Sequence, residues 1–157
     1  GIRDEWQIIP SQKLSDAKNN KRNHLYPKLI INEADVYTTD TMHRVNIKKD
    51  VNLDALVASY YNSLSLAFAE ISGRSHGGGV LELMPSEVEN IMLPYHDSNK
   101  NLVETIDKMI RANESIDKIL EVTNKKILID NYGLSKNDVQ IADRIWKKLS
   151  SRRLNRN

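Results

Sequence analysis

The sequence predicts the α+β class: a small antiparallel or mixed sheet with a packed amphipathic helix over residues 52–72, followed by a C-terminal helical extension. Three observations carry that reading. Short apolar runs rich in β-branched residues, broken by Pro10 and Pro27, fill the first fifty positions. Apolar residues then recur at spacings of three and four. Beyond Pro94 the remaining apolar stripes are helical in period. The expected organisation is an α+β unit over residues 1–96 and a helical extension over residues 97–157.

The elements follow in order. EWQII, residues 5–9, reads as a short strand ended by Pro10, and residues 11–23 as a polar, basic loop. KLIINEA follows Pro27, and VYTTDTMHRVNIKK follows a turn at Ala34-Asp35. Threonines and β-branched residues favour strand, so these segments suggest an antiparallel pair or meander. Asn52 is a fitting N-cap, and Asp54 sits where a helix dipole favours an acid. Leu53, Leu56, Val57, Tyr60, Leu64, Ala67, Phe68 and Ile71 then form one apolar face up to Gly73. After a linker, Ser98 or Asn99 caps a second helix reaching about Val122. A third helical piece ends at Gly133. Ser135 caps a fourth, with Asp138 completing a capping box. The closing SRRLNRN is expected to fray.

Residues 73–94, GRSHGGGVLELMPSEVENIMLP, are the most distinctive stretch. Positions 73–79 hold four glycines with Arg74, Ser75 and His76. Bare amides beside a fixed cation suit an anion such as phosphate, and Gly77, Gly78 and Gly79 would supply them. The plainer reading is a tight helix-to-strand connection with no ligand. VLELM reads as a strand, Pro85-Ser86-Glu87 as a helical turn, and IMLP as a second strand stopped by Pro94.

Composition narrows the function classes. Among 157 residues, 39% are hydrophobic and 28% charged, as in a globular chain. With no cysteine, disulfide and thiolate chemistry are excluded; a cytoplasmic setting is compatible. No apolar run approaches the roughly 18 residues of a membrane span, so no membrane partner is expected. Residue 1 is glycine rather than methionine, which suggests an excised portion of a longer protein. The net charge of +2 is small, but its distribution is uneven. Residues 12–49 carry eight bases against four acids, and residues 144–157 carry six bases and no acid. Residues 81–130 carry ten acids against six bases. Basic ends around an acidic middle suit a polyanion held at separated places, although solvated faces are the simpler account of a charge run.

Catalytic constellations are missing. His24, His43, His76 and His96 lack metal-ligand spacing. There is no nucleophile elbow, phosphate loop or dinucleotide fingerprint, and the triple glycine leads into a strand rather than a helix.

Taken together, Tyr61-Asn62-Ser63 and the stretch GRSHGGGVLELMPSEVENIMLPY resemble the C-terminal target-recognition region of bacterial adenine-specific (N6) DNA methyltransferases of restriction–modification systems. In that family an Asn-Ser helix leads to a Gly-Arg-Ser-aromatic-Gly-Gly-Gly loop, then Val-Leu-Glu-Leu, a Pro-Ser-Glu turn and an apolar segment ending in proline. His76 stands where an aromatic is usual. PKLIINEADVYTTDTMHRVNI is similar to the family's paired strands, and GLSKNDVQIADRIWKKLSSRRLNR to its closing basic helix, so the resemblance spans about residues 27–156. The helix, glycine loop and Ile-x-Leu-Pro pattern is also similar to the recognition domains of type I restriction specificity subunits.

The resemblance implies double-stranded DNA as a partner, an upstream catalytic methyltransferase domain, and a cognate restriction endonuclease as a further partner. It implies S-adenosylmethionine for the full-length enzyme. The Asn/Asp-Pro-Pro-Tyr/Phe catalytic motif and the cofactor motif are absent here, so no cofactor and no activity are expected of this chain alone. Arg74, the Gly77–Gly79 amides, Lys21 and Arg22 would hold phosphates. Ser75 belongs to the same loop. His43, Arg44, Thr39 and His76 would approach base edges, where an arginine on guanine is worth about 1–3 kcal/mol of discrimination. Plainer roles stand beside these: Arg44 in a sheet-face ion pair, Arg74 capping helix carbonyls. The alternative function is a protein-interaction module that docks on the catalytic domain or a partner subunit without touching DNA.

Overall fold

A computed structural model of the chain describes residues 5–9, 26–33, 43–76 and 78–155, with residues 5–9 and 76 described through their backbone alone. Strand β1 (Glu5–Ile9) is the middle of a three-stranded antiparallel sheet, between β2 (Lys28–Ile31) and β3 (His43–Asn46). Ile8 lies opposite both Leu29 and His43. The β2 and β3 segments are strands as expected, but they form no antiparallel pair with each other; each pairs antiparallel with β1. β1 takes the central place and satisfies both of its backbone edges there.

The helix expected over residues 52–72 is two helices, α1 (Leu53–Tyr60) and α2 (Ser63–Ser72). Asn52 caps α1 as expected, its Oδ1 accepting from the Ala55 amide at 2.9 Å. The break falls at Tyr61 and Asn62, whose backbone is extended at φ −151° and ψ 161°. Two side-chain demands explain it. Tyr60 and Tyr61 donate their hydroxyls to the Pro27 and Leu29 carbonyls, each at 2.6 Å. Adjacent residues on a continuous helix diverge by about 100°, so both could not reach β2 and its entry together. Asn62 competes with the helix backbone for hydrogen bonds. Its Oδ1 accepts from the Ser65 amide at 2.9 Å, and its Nδ2 donates to the Ser59 carbonyl at 2.6 Å.

A two-stranded hairpin, β4 (Arg74–His76) and β5 (Val80–Glu82), follows α2, and then a single turn of helix, α3 (Pro85–Val88). The strand expected at IMLP is not formed. Backbone bonds there are local, from Ile91 to Val88 and from Tyr95 to Leu93, and the Met92 carbonyl accepts from Ser65 Oγ at 2.6 Å.

A 3-10 turn over Asp97–Leu102 is capped by His96 rather than by Ser98 or Asn99. Asn99 is buried instead, donating to Ser59 Oγ at 2.9 Å and accepting from Asn131 at 2.6 Å. The expected second helix is again two, α4 (Val103–Arg111) and α5 (Ile116–Thr123). Asn113 adopts a left-handed φ of 54° and stops α4, and Ser115 caps α5. A π-helical segment, Asn124–Asn131, continues from α5 and ends at Gly133, as expected. Helix α6 (Lys136–Leu154) carries the anticipated capping box, with Ser135 and Asp138 each bonding the other's amide. The expected fraying does not hold for residues 151–154, which are helical and include a buried arginine, Arg153.

One buried cluster joins Tyr26, Leu29, Tyr60 and Tyr61 to Ile106, Ile119 and Trp146, so residues on both sides of position 96 share a core. Among the described residues no helix is long and apolar enough to cross a membrane.

Burial pushes the Tyr26 hydroxyl up from 10.0 to about 12, and burial first of all raises Tyr60 and Tyr61 well above their ordinary value. Unfolded tyrosines release protons before folded ones do, so stability is complete below pH 10.0 and falls as pH rises toward 12. Urea unfolding followed by circular dichroism across that window should show a loss approaching about 1.4 kcal/mol per pH unit for each buried tyrosine. Tyr26→Phe should make the decline shallower; an unchanged slope would contradict the assignment.

Candidate functional site

The glycine-rich stretch is a hairpin turn. Arg74 pairs with Glu82 and His76 with Val80, which leaves positions 77–79 to reverse the chain. Gly79 has a φ of +80°, open to glycine at little cost. A Cβ there would also meet Leu154 Cδ2 at 3.4 Å, because the C-terminal end of α6 lies against the turn. Gly73 is constrained differently. Its backbone is extended, but a Cβ would come within 2.7 Å of Leu81 Cδ1 and 3.0 Å of the Glu82 carbonyl. It lets α2 run directly into the hairpin.

What holds the turn is a residue the sequence reading placed in a frayed tail. Arg153 is 2% exposed and Glu70 on α2 is 3% exposed. Arg153 donates from Nε to both Glu70 oxygens at 3.1 and 3.0 Å, and from Nη2 to Oε1 at 2.6 Å. Its Nη1 donates to the Gly79 carbonyl at 2.5 Å. One guanidinium thus ties α2, the hairpin turn and α6 together by charge-assisted bonds in a planar fork.

At the other end of the hairpin, Arg74 is 72% exposed and donates from Nε to Glu87 Oε1 at 3.0 Å. It does not cap the α2 carbonyls; the Gly73 amide bonds Ala69 there. Glu87 also accepts from the Met84 amide at 2.8 Å, and that bond, ahead of the arginine, holds its carboxyl below the usual range. The Arg74 pair is solvent-exposed and adds little to stability.

A groove of about 550 Å³ opens between β3 and α3, lined by His43, Arg44, Lys48, Tyr60, Val88 and Leu93 among others. Alternation along β3 leaves His43 and Val45 half-buried and Arg44 and Asn46 exposed. His43 Nε2 bonds the Leu83 carbonyl, which makes that nitrogen the protonated one and links β3 to the strand leading into α3. His43, Arg44 and Arg74 therefore gather around the segment from Leu83 to Glu87. Ser75 is exposed in β4 and Gly78 is exposed in the turn, whereas Gly79 is buried beneath α6. Lys21, Arg22, Thr39 and Gly77 lie outside the described residues, and His76 is placed in β4 by its backbone.

Sequence reasoning missed Lys48, Glu70 and Arg153. Lys48 was visible as a basic pair with Lys49 directly after a strand. The Glu70–Arg153 pair left no local signal, since its members are 83 residues apart. Among the described residues no group of three His, Cys, Asp or Glu side chains is arranged to hold a metal ion.

Set beside known families, residues 1–128 match the family described as type II methyltransferase M.Eco57I, C-terminal domain. No curated protein and no solved structure matches the chain. The match takes in the sheet, α1 and α2, the hairpin and the β3–α3 groove, and α6 lies beyond it.

Arg153→Ala should destabilise the fold by about 3–5 kcal/mol, because it strands the Glu70 carboxylate in the interior. Replacing both partners at once, Arg153→Met with Glu70→Leu, should cost far less. Denaturant midpoints at neutral pH would check both, and equal losses in the single and double variants would refute the buried-pair account.

Proposed function

The chain belongs to the family of type II methyltransferase M.Eco57I C-terminal domains, and on that premise we propose that it is the target-recognition portion of an adenine-specific (N6) DNA methyltransferase of a restriction–modification system. It grips duplex DNA and positions it for a catalytic domain encoded upstream, in the cytoplasm. The observation that carries the reading is the position of the groove. Its lining, from Leu29 to Leu93, falls wholly inside the matched residues and is edged by the exposed cations Arg44 and Lys48.

The chemistry is one of holding. An adenine must leave the base stack before its exocyclic nitrogen can accept a methyl group, so the duplex has to be kept in register while it is deformed. Arg44 and Lys48 contribute phosphate contacts at the groove edge, which position without specifying. Arg74 adds a further exposed cation on the hairpin, held by Glu87. His43 works differently: bonded to the Leu83 carbonyl, it fixes β3 against the approach to α3. The described part of the glycine turn does not suit S-adenosylmethionine: it joins two antiparallel strands and Gly79 is covered by α6, so the turn presents no amide-lined helix start. The cofactor belongs to the upstream domain.

A second reading, docking on the catalytic domain without DNA contact, is favoured by one observation. A largely apolar groove of about 460 Å³ lies between β2 and α4, lined by Ile30, Val57, Val103 and Ile110.

Fluorescence anisotropy with random-sequence duplex DNA tests the DNA reading. The chain should bind at about 50 mM salt and release steeply toward 200 mM. Arg44→Gln with Lys48→Gln should weaken binding and reduce the slope of log K against log salt by about 2. A folded chain that binds no duplex at the lower salt would defeat the DNA reading in favour of docking.

A further inference from the structure

Half of the bases in the described helical region are matched by acids on the same surface; Lys100, Lys126 and Lys136 stand singly without a described ion pair. Lys108 pairs with Glu104, Arg111 with Asp107, Lys118 with Glu114, Lys125 with Asp130, and Lys147 with Asp143. The outer face of α6 differs in gathering its unpaired cations into one row. Arg144, Lys148 and Arg152 recur every four residues, all exposed, and no acid occurs between residues 144 and 157. No ion pair joins any of the three to another described residue.

Their direction is fixed by the opposite face of the helix. Ala142, Trp146, Ser150 and Arg153 are buried, and the Arg153–Glu70 pair prevents α6 from rotating. The stripe therefore points outward over about 12 Å, at about 6 Å per four residues. That is the axial rise of roughly three to four steps along one DNA strand. Its C-terminal end meets the hairpin turn, where Arg153 bonds Gly79, and the same hairpin begins with exposed Arg74. The only large apolar side chains exposed on α6 are Ile141 and Ile145, at 42% and 40%. That is too little to form the apolar centre of a protein interface.

We propose that Arg144, Lys148 and Arg152 form a second contact for the duplex backbone, laid along its phosphates and indifferent to sequence. The inference rests on the DNA-gripping reading above and extends it to a helix beyond the matched residues. Regularly spaced cations without acid partners release counterions when they meet phosphate, and that release is the source of affinity.

The test compares three variants of the whole chain by anisotropy with random duplex DNA across a salt series. Arg144→Gln/Lys148→Gln/Arg152→Gln, with a circular dichroism spectrum matching the parent, should bind at least tenfold more weakly at low salt. Its salt slope should fall by about 2–3. Lys108→Gln/Lys118→Gln/Lys125→Gln removes the same charge from ion-paired positions and should leave the slope nearly unchanged. Arg44→Gln/Lys48→Gln separates the two readings. If it flattens the slope while the α6 variant behaves as the parent, the groove stands and the stripe proposal is overturned. If only the α6 variant loses binding, the stripe stands and the groove is not the DNA contact. A folded parent that fails to bind at low salt overturns both.

Discussion

The fold depends on the interruption between Tyr60 and Ser63. A continuous helix there would bury one apolar face and leave the sheet, the 92–99 segment and the C-terminal helices without a common anchor. The break turns two adjacent tyrosine hydroxyls onto β2 and its entry and frees the Asn62 side chain to bond the neighbouring backbone. Serines on either side then reach outward: Ser59 to Asn99, Ser65 to Met92, and Ser63 to Asn124 and Asp143. Asn62, Ser59, Ser63 and Ser65 are fully buried, and each is hydrogen-bonded, which is the condition for polar groups in a core. Such networks select one arrangement because half-satisfied alternatives are costly. The Asn-Ser pair noted in the sequence therefore has a structural role: it caps and connects.

The same logic shapes the hairpin. Its turn and strands expose Arg74 and Ser75 while its carbonyl side is tied down by Arg153, so the element is rigid at one end and open at the other. On the facing side, His43 links β3 to the same connection. Basic side chains on β3, on the hairpin and on α6 are in this way carried by three elements locked together through backbone carbonyls. Under the DNA-gripping proposal such a surface would lose little ordering entropy on contact.

Much of the fold was legible because its signals are local. The Ser135–Asp138 box, the Asn52 cap and the Gly133 stop are written in neighbouring residues, and all appear where they were read. The family was legible as well, through the hairpin and the turn that follows it, and the match over residues 1–128 agrees. What could not be read depends on partners distant in sequence. The breaks at Tyr61 and Asn113 interrupt acceptable helical periodicity, and the first is driven by bonds to Pro27 and Leu29. IMLP has strand composition but no neighbouring edge to pair with. The closing basic residues looked uniformly solvated, yet neighbours differ in fate: Arg152 faces out and Arg153 faces in. At the candidate site, Arg44 and Arg74 were identified by residue type, while Lys48 joined them only once the groove was assembled.

The Glu70–Arg153 pair also sets an order of assembly. A ribosome delivers α2 long before α6, and 83 residues separate the carboxylate from its guanidinium. Until that stretch has emerged, Glu70 has strong reason to stay in water, and the hairpin turn has no donor for the Gly79 carbonyl. Closure of this corner is therefore a late, long-range event in the life of each newly made molecule, of the kind that slows folding and leaves surfaces open in the interval. Nascent chains would pass through a state with the sheet and first helices in place and the glycine turn still loose.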